Sequence, residues 1–266
     1  MTQPTKDSSA IHPTAVVDPN ARLGKGVSIG PYCVIEADVQ IGDGTEVMNH
    51  VTIHGPTVIG QRNRIYPYAF LGQDPQDKKF KRGEASSLEI GDDNVIREYA
   101  TINRGTQGGG GVTRVGARNL IMAYCHIAHD CQVGDDTVFA NCATLGGHVH
   151  IGNKAYLGGF TAVHQFCSVG EMTMTGGQTM IAQDVPPYVI AAGNRARLFG
   201  VNRIGLERNG LPPEEIEAVQ RAYKLYFRGK MSSEEALAAI EARFSASEHV
   251  KHFVDFIRHS KRGICR

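Results

Sequence analysis

The chain has 266 residues, enough to bury a substantial core in one large domain, alone or with a smaller one. Its 28 basic and 27 acidic side chains leave a formal net charge of +1, which gives no argument for a nucleic acid partner. The segment Met1 to Ala10 is polar, unlike a signal peptide. No apolar run approaches the roughly 18 residues that span a bilayer. We therefore expect a cytoplasmic protein with no membrane span.

An apolar residue, usually aliphatic, recurs at every sixth position from Ile11 to Ile181, with two interruptions and one miss at Thr175. Neither a helix, with its period of 3.6, nor an alternating strand produces this spacing. A short repeat of this kind is typical of a solenoid. The sequence therefore predicts a mainly β fold, a left-handed parallel β-helix of hexapeptide repeats, over residues 1–190.

The interruptions fall at residues 73–89 and 104–114. The first is charged, and the second contains four consecutive glycines, Gly108 to Gly111. An insertion into a solenoid must leave it as a loop, and loops on rigid scaffolds often carry function. A tolerated surface insertion is the other interpretation, and the pattern alone leaves both open.

Residues 191–266 change to a helical pattern and form the predicted C-terminal α-helical domain. Pro212 and Pro213 stand where a first helical turn begins, and Ser232 with Glu235 forms a capping box. A further helix is expected from about Ser247. So small a helical domain should pack on the β-helix or on a neighbouring subunit.

The chemistry-bearing residues gather between Tyr124 and Gln165. Because three hexapeptides form one coil, residues 18 apart should stack. That arithmetic places His129, Gly147 and Gln165 in one column. It also stacks Asp130 beneath His148, and the other nearby histidines are His126 and His164.

A histidine beside a carboxylate is suited to general base catalysis at neutral pH. The N–H of Gly147 could bind a developing oxyanion in the same column. No serine or cysteine stands in a nucleophile elbow, which favours direct transfer to a bound acceptor.

A metal site is the alternative. His126, His129, His148 and His164 could complete a tetrahedral set, as in solenoids that resemble the γ-class carbonic anhydrases. Their histidine spacing differs, and Asp130 directly after His129 suits a base better. We therefore predict no metal and no cofactor. A purely structural solenoid would leave the aligned histidine and aspartate residues unexplained.

Several segments together resemble the UDP-N-acetylglucosamine O-acyltransferases, which open lipid A biosynthesis in Gram-negative bacteria. The resemblance covers nearly the whole chain. It is carried by five segments: Thr101 to Thr106, His126 to Asp130, Leu145 to His148, Ala162 to Phe166 and Gln183 to Tyr188.

The resemblance implies a mechanism in which His129 is the general base on the glucosamine 3-hydroxyl. That hydroxyl attacks the thioester of a (R)-3-hydroxyacyl chain on acyl carrier protein. Asp130 would orient His129, and the N–H of Gly147 would hold the oxyanion.

The resemblance also implies binding roles. His126, His148, His164 and Gln165 would line the sugar-nucleotide site, with Gln76, Asp77 and Lys79 from the first insertion. Asn202 and Arg208 would lie near the nucleotide or the carrier, and Gly177 would leave room for a long acyl chain.

Some alternatives stay open on the sequence. Asn103 stands where some relatives have histidine, so the acceptor could be the 3-amino analogue of the sugar nucleotide. Asn209 replaces an arginine common in the family, so this position lacks the positive charge that could contact the nucleotide or the carrier. The related N-acyltransferases carry an extra N-terminal domain, for which a repeat beginning at Ile11 leaves no room.

The flat-faced prism favours a homotrimer.

Overall fold

The computed structural model describes residues 10–266, so the polar segment considered for a signal peptide lies outside the described residues except for Ala10. This part of the chain contains 28 short β-strands, one 3-10 turn at Gln107–Gly109 and four α-helices. The strands form three sheets that are the faces of a prism, called faces A, B and C below. The predicted mainly β fold, a parallel β-helix with C-terminal helices, is confirmed.

Up to Met180–Ile181, successive strands along the chain belong to faces A, B and C in turn, and the last two strands both join face A. Face A comprises Ala10–Ile11, Ser28–Ile29, Glu46–Val47, Arg64–Ile65, Val95–Ile96, Leu120–Ile121, Val138–Phe139, Tyr156–Leu157, Met174–Thr175, Val189–Ala192 and Arg197–Val201. Face B comprises Val16–Val17, Val34–Ile35, Thr52–Ile53, Phe70–Gln73, Thr101–Asn103, His126–Ile127, Thr144–Leu145, Ala162–Val163 and Met180–Ile181. Face C comprises Arg22–Leu23, Val39–Ile41, Thr57–Ile59, Ser87–Ile90, Val112–Val115, Gln132–Val133, His150–Ile151 and Ser168–Val169.

The register of the strands follows the six-residue repeat. Ile53 pairs with Leu71, 18 residues further on, and both side chains are buried inside the prism. Leu71 pairs with Ile102, 31 residues on, because the first insertion lies between them. Ile102 pairs with Ile127, 25 residues on, around the second insertion. Each insertion therefore leaves the prism and returns to the same ladder, with one register shift where the first insertion departs: Leu71 pairs with Ile102, but Gln73 pairs with Asn103.

Thr175, the one polar residue in the series, points inward and is fully buried. Its hydroxyl accepts a hydrogen bond from the backbone N–H of Gly158 at 2.9 Å and lies 2.8 Å from the hydroxyl of Thr161. These bonds satisfy the polar group inside the core, so the repeat continues through this position.

Four helices follow the last strand: α1 (Arg203–Arg208), α2 (Pro213–Arg228), α3 (Ser233–Arg243) and α4 (Glu248–Arg258). The capping box at Ser232 is confirmed, and the last helix begins directly after its N-cap Ser247. The helical pattern did not predict α1. None of the helices in residues 10–266 is long and apolar enough to cross a membrane.

The helices pack on the end of the β-helix. Tyr188, which precedes strand Val189–Ala192, is buried in a cluster with α2, α3 and α4, and its hydroxyl lies 2.9 Å from Nδ1 of His252. Asp184, near the last coil, accepts a hydrogen bond from Ser260 after α4 at 2.6 Å. The division at residue 190 stays a proposal, since strands continue to Val201 before α1 begins.

Candidate active site

The site is built around a histidine–aspartate pair at the corner between faces B and C. His129 and Asp130 follow strand His126–Ile127, and Asp130 adopts a left-handed conformation with φ 60°. Nδ1 of His129 lies 2.8 Å from Oδ2 of Asp130, whose side chain is 1% exposed. A carboxylate accepts hydrogen bonds, so Nδ1 carries the proton and Nε2 is left as the basic nitrogen.

Gly147 lies against the ring of His129, one coil further along. A methyl group on Gly147 would come within 2.7 Å of Nε2. Among residues 10–266 the N–H of Gly147 has no hydrogen-bond partner. The ring that carries the basic nitrogen therefore lies against a residue whose backbone N–H is free to donate, an arrangement that suits acyl transfer through an oxyanion.

His148 packs on the other side of the pair. Its ring stacks on Phe166, with centroids 4.4 Å apart, and meets the ring of His129 edge-on. Nε2 of His148 lies 3.8 Å from Oδ2 of Asp130. Burial lowers the pKa of His148 below its ordinary value, although the charge of Asp130 opposes this. The predicted stacking of Asp130 and His148 is confirmed.

His126 lies on face B beside the pair. Its Nδ1 is 2.7 Å from the hydroxyl of Thr101 on the preceding coil. Burial, and then the proximity of His129, lowers the pKa of His126. Its ring is therefore neutral near pH 7 and can donate or accept a hydrogen bond toward the cavity.

A cavity of about 630 Å³ lies between His129 and the first insertion. Its lining includes Gln76, Asp77, Lys79, His126, His129, Gly147 and Gln165. These residues come from three coils and one loop, and most of the predicted site residues are brought together here. A volume of this size is in the range of small-molecule sites.

The first insertion is fastened to the β-helix by two residues at the end of strand Thr101–Asn103. The amide of Asn103 donates to the backbone carbonyl of Asp74 at 2.9 Å. The guanidinium of Arg104 donates to the carbonyl of Gly55 at 3.0 Å and to Oδ1 of Asp74 at 2.6 Å. Neither residue was predicted as an anchor, since the loop's return path is not periodic.

Four predicted site residues lie elsewhere. The exposed ring of His164 adjoins Gln165 and faces the guanidinium of Arg262. Asn202 caps α1 and donates to the carbonyl of Met172, while Arg208 lies exposed in the last turn of that helix. Gly177 lies at the corner between faces A and B, where a methyl group would be 3.5 Å from the carbonyl oxygen of Gly159.

Thr106, in the second insertion, also contacts the pair. Its hydroxyl donates to Oδ2 of Asp130 at 2.6 Å and its N–H donates to Oδ1 at 2.9 Å. Thr106 ends the segment Thr101 to Thr106, which carries part of the family resemblance, but the sequence predicted no role for it. The motif Asn-Arg-Gly-Thr, residues 103–106, does not indicate that the loop folds back and brings Thr106 to Asp130.

The histidine–aspartate pair and His148 also carry the kinds of group that bind metal ions. Within residues 10–266, His129, Asp130 and His148 form the one set of three whose ligand atoms lie within 4.8 Å of one another. Both oxygens of Asp130 already accept hydrogen bonds from Thr106, and Oδ2 also accepts one from His129. This arrangement is typical of a carboxylate that orients a histidine.

The fold and the site together define a hexapeptide-repeat acyltransferase. A family profile described as bacterial transferase hexapeptide (six repeats) matches residues 113–147. A second, described as Udp N-acetylglucosamine O-acyltransferase, domain 2, matches residues 184–265.

Full-length relatives specify the family. The chain is 50% identical to the acyl-[acyl-carrier-protein]–UDP-N-acetylglucosamine O-acyltransferase of Thiobacillus denitrificans, over 97% of this chain and all of that protein. The solved UDP-N-acetylglucosamine O-acyltransferase of Moraxella catarrhalis superposes with a TM-score of 0.94 at 44% identity, covering 96% of this chain and 99% of that one. The Arabidopsis UDP-N-acetylglucosamine acyltransferase superposes at 0.84 with 37% identity, covering 96% of this chain and all of that one. The chain belongs to the UDP-N-acetylglucosamine O-acyltransferase family.

Membership confirms the resemblance found in the sequence and the fold class that it implied. It favours the O-acyltransferase interpretation over the carbonic anhydrase-like and N-acyltransferase alternatives.

Proposed function

We propose that this chain transfers a (R)-3-hydroxyacyl group from acyl carrier protein to the 3-hydroxyl of the glucosamine in UDP-N-acetylglucosamine, the first step of lipid A biosynthesis. The observation that carries the proposal is the placement of Nε2 of His129 beside Gly147 in the cavity, with Nδ1 held by Asp130. The names and full-length similarity of the relatives support the substrate classes.

The reaction follows from that geometry. Nε2 of His129 accepts the proton of the 3-hydroxyl while its oxygen forms a bond to the thioester carbonyl carbon. Asp130 stabilises the imidazolium, and the N–H of Gly147 donates to the tetrahedral oxyanion. Collapse of that intermediate breaks the carbon–sulfur bond, and the carrier thiolate takes the proton from His129.

The residues around the pair would hold the sugar nucleotide. Lys79 supplies positive charge for the diphosphate, and Gln76 and Asp77 supply hydrogen bonds for the sugar from the same cavity wall. His126, His148, His164 and Gln165 would complete the contacts on the β-helix. Asn202 and Arg208 would lie near the nucleotide or the carrier, and Gly177 would leave room for a long acyl chain.

The active assembly would be a homotrimer located in the cytoplasm. Five stacked rings line the corner between faces A and B, with neighbouring centroids 4.9–5.0 Å apart: Tyr32, His50, Tyr68, Tyr99 and Tyr124. Face B, which adjoins these stacked rings, also exposes Val16, Phe70 and Met180. A row of stacked, exposed rings with apolar neighbours favours contact with another protein surface, here a second copy of the chain.

Acyl carrier protein is strongly acidic, so it should dock on basic residues. The candidates are exposed around strand Arg197–Val201 and α1: Arg195, Arg197, Arg203 and Arg208. Because exposed charges are screened by salt, the KM for the carrier should rise with ionic strength.

The test is mass spectrometry of the product formed from UDP-N-acetylglucosamine and 3-hydroxyacyl carrier proteins of several chain lengths. We expect a monoacylated sugar nucleotide from the wild type and none from His129→Ala, with exposed His12→Ala as the matched control. Full activity of His129→Ala would reject the base. Product from the 3-amino acceptor alone, or no product from any donor, would reject the proposed function.

A further inference from the structure

We infer that Thr106 is a positioning residue of this site, which holds the Asp130 carboxylate in the orientation that aligns His129. The inference rests on the proposed function, since it takes His129 as the base. Thr106 would act through Asp130 and would not touch either substrate.

Thr106 binds both oxygens of one carboxylate. The hydroxyl reaches Oδ2 at 2.6 Å and the N–H reaches Oδ1 at 2.9 Å, so the plane of the carboxylate cannot rotate without breaking a bond. Oδ2 is the oxygen that also lies 2.8 Å from Nδ1 of His129. Because the Asp130 side chain is 1% exposed, water cannot readily replace these donors.

The loop that carries Thr106 is itself fixed. The carbonyl of Thr106 accepts hydrogen bonds from the N–H groups of Gly109 at 3.0 Å and Gly111 at 2.8 Å. On the far side of the loop, the hydroxyl of Thr113 accepts a bond from the N–H of Asp130 at 2.8 Å. The second insertion therefore bonds Asp130 at two places: Thr106, near the start of the insertion, binds the carboxylate, and Thr113, near its end, binds the backbone N–H.

The tip of the same loop packs directly on the pair. A side chain on Gly109 would clash with the carboxylate of Asp130 and would lie 2.6 Å from Cε1 of His148. Glycine at this position lets the loop approach close enough for Thr106 to bond the carboxylate. The second insertion thus has a defined role in the site, beyond that of a tolerated surface loop.

Removing the hydroxyl should misalign the base without changing substrate binding. Thr106→Val keeps the shape of the side chain and the backbone N–H bond but lacks the donor to Oδ2. Since small displacements of catalytic groups are costly, we expect kcat to fall by on the order of 10- to 100-fold, with KM for both substrates nearly unchanged. Thr106→Ser, which retains the donor, should restore most of the rate.

The matched control is Thr137→Val. Thr137 is also a buried threonine whose hydroxyl donates a bond, at 2.7 Å to Asn119, but it lies away from the pair. Thermal unfolding of each variant separates loss of fold from loss of rate. We expect Thr137→Val to unfold at a lower temperature and to keep its kcat.

A double-mutant cycle distinguishes action through Asp130 from a general structural role. In the Asp130→Ala background, single-turnover rates with and without Thr106→Val should agree within about 2-fold, because the group that Thr106 positions is gone. An equal loss in both backgrounds, an unchanged kcat in Thr106→Val, or failure of Thr106→Ser to restore activity would overturn the inference. An inactive wild type would instead reject the proposed function.

Discussion

Gly147 and His129 are so close that only glycine fits between the base and the next coil. A methyl group on Gly147 would lie 2.6 Å from Cε1 and 2.7 Å from Nε2 of His129. Both distances are shorter than van der Waals contact, so the ring would have to move away. Its bond to Asp130 would then be distorted, and Nε2 would be covered.

Gly147→Ala should therefore lower kcat by about 100-fold, since it displaces the base and shields its free nitrogen. The measurement is the initial rate of acyl transfer at saturating substrates, with thermal unfolding to verify the fold. Gly108→Ala is the control, because a methyl group at Gly108 meets no atom within 4 Å. A rate for Gly147→Ala close to that of the control would contradict the proposed role of Gly147.

Arg104→Ala should raise the KM for the sugar nucleotide by about 10-fold with a smaller effect on kcat, because it releases the loop that carries Gln76, Asp77 and Lys79. Arg82→Ala is a matched control on the same carboxylate. Arg82 is 92% exposed and lies 3.6 Å from Asp74, whereas Arg104 is 12% exposed and lies 2.6 Å from it. Exposed ion pairs contribute little, so Arg82→Ala should leave KM unchanged. Equal effects in the two variants would show that the anchor is unimportant.

Gly177→Leu should shift the preferred acyl donor to a shorter chain. A methyl group on residue 177 would lie 3.5 Å from the carbonyl oxygen of Gly159, which is ordinary van der Waals contact, so Gly177→Ala should be tolerated. A leucine side chain extends further and should fill part of the space that Gly177 leaves open. Competition among donors of different length, read by mass spectrometry of the product, checks this. An unchanged preference in Gly177→Leu would place the limit of chain length elsewhere.

Stability should fall on mild acidification. Burial holds the pKa values of His126 and His148 below the ordinary 6.5, so the unfolded chain binds these protons more readily than the folded one. Their contribution to the free energy of unfolding is therefore complete above pH 6.5 and is lost as the pH falls through the lowered values. A hydrogen bond from His252 lowers the pKa of Glu171. Its contribution to the free energy of unfolding is therefore lost in a separate range, below pH 4.5.

His126→Gln should flatten the dependence of the free energy of unfolding on pH below 6.5, measured by urea denaturation at each pH. His12→Gln serves as the control, since His12 is exposed at the first coil. A steeper dependence in His126→Gln would contradict the lowered pKa.

Much of the β-helix could be predicted from the sequence because its period is strict. Each inward position recurs at the same place in the coil, so Ile53 and Leu71 could be paired by counting. The polar Thr175 broke the pattern without breaking the fold, since Thr161 and Gly158 satisfy its hydroxyl. Helix α1 was missed because six residues are too few to show a helical period.

Counting residues along the repeat also predicted which residues meet around His129. His129, Gly147 and Gln165 lie on consecutive coils with no insertion between them, and all three line the same cavity. Asp130 and His148 meet for the same reason. At Asn202 the structure adds contacts within the fold to the motif match. Both ends of its amide are engaged within the fold, with Gly205 and Met172, which a sequence match does not reveal.

The sequence by itself determined the fold, the register and the column of catalytic candidates, because a six-residue period makes neighbours of residues 18 apart. Only the tertiary structure placed Thr106 on Asp130 and anchored the first insertion through Asn103 and Arg104. The physical reason is that an insertion has no period. Where its chain returns depends on hydrogen bonds to buried groups, and those groups come together only when the coils have stacked.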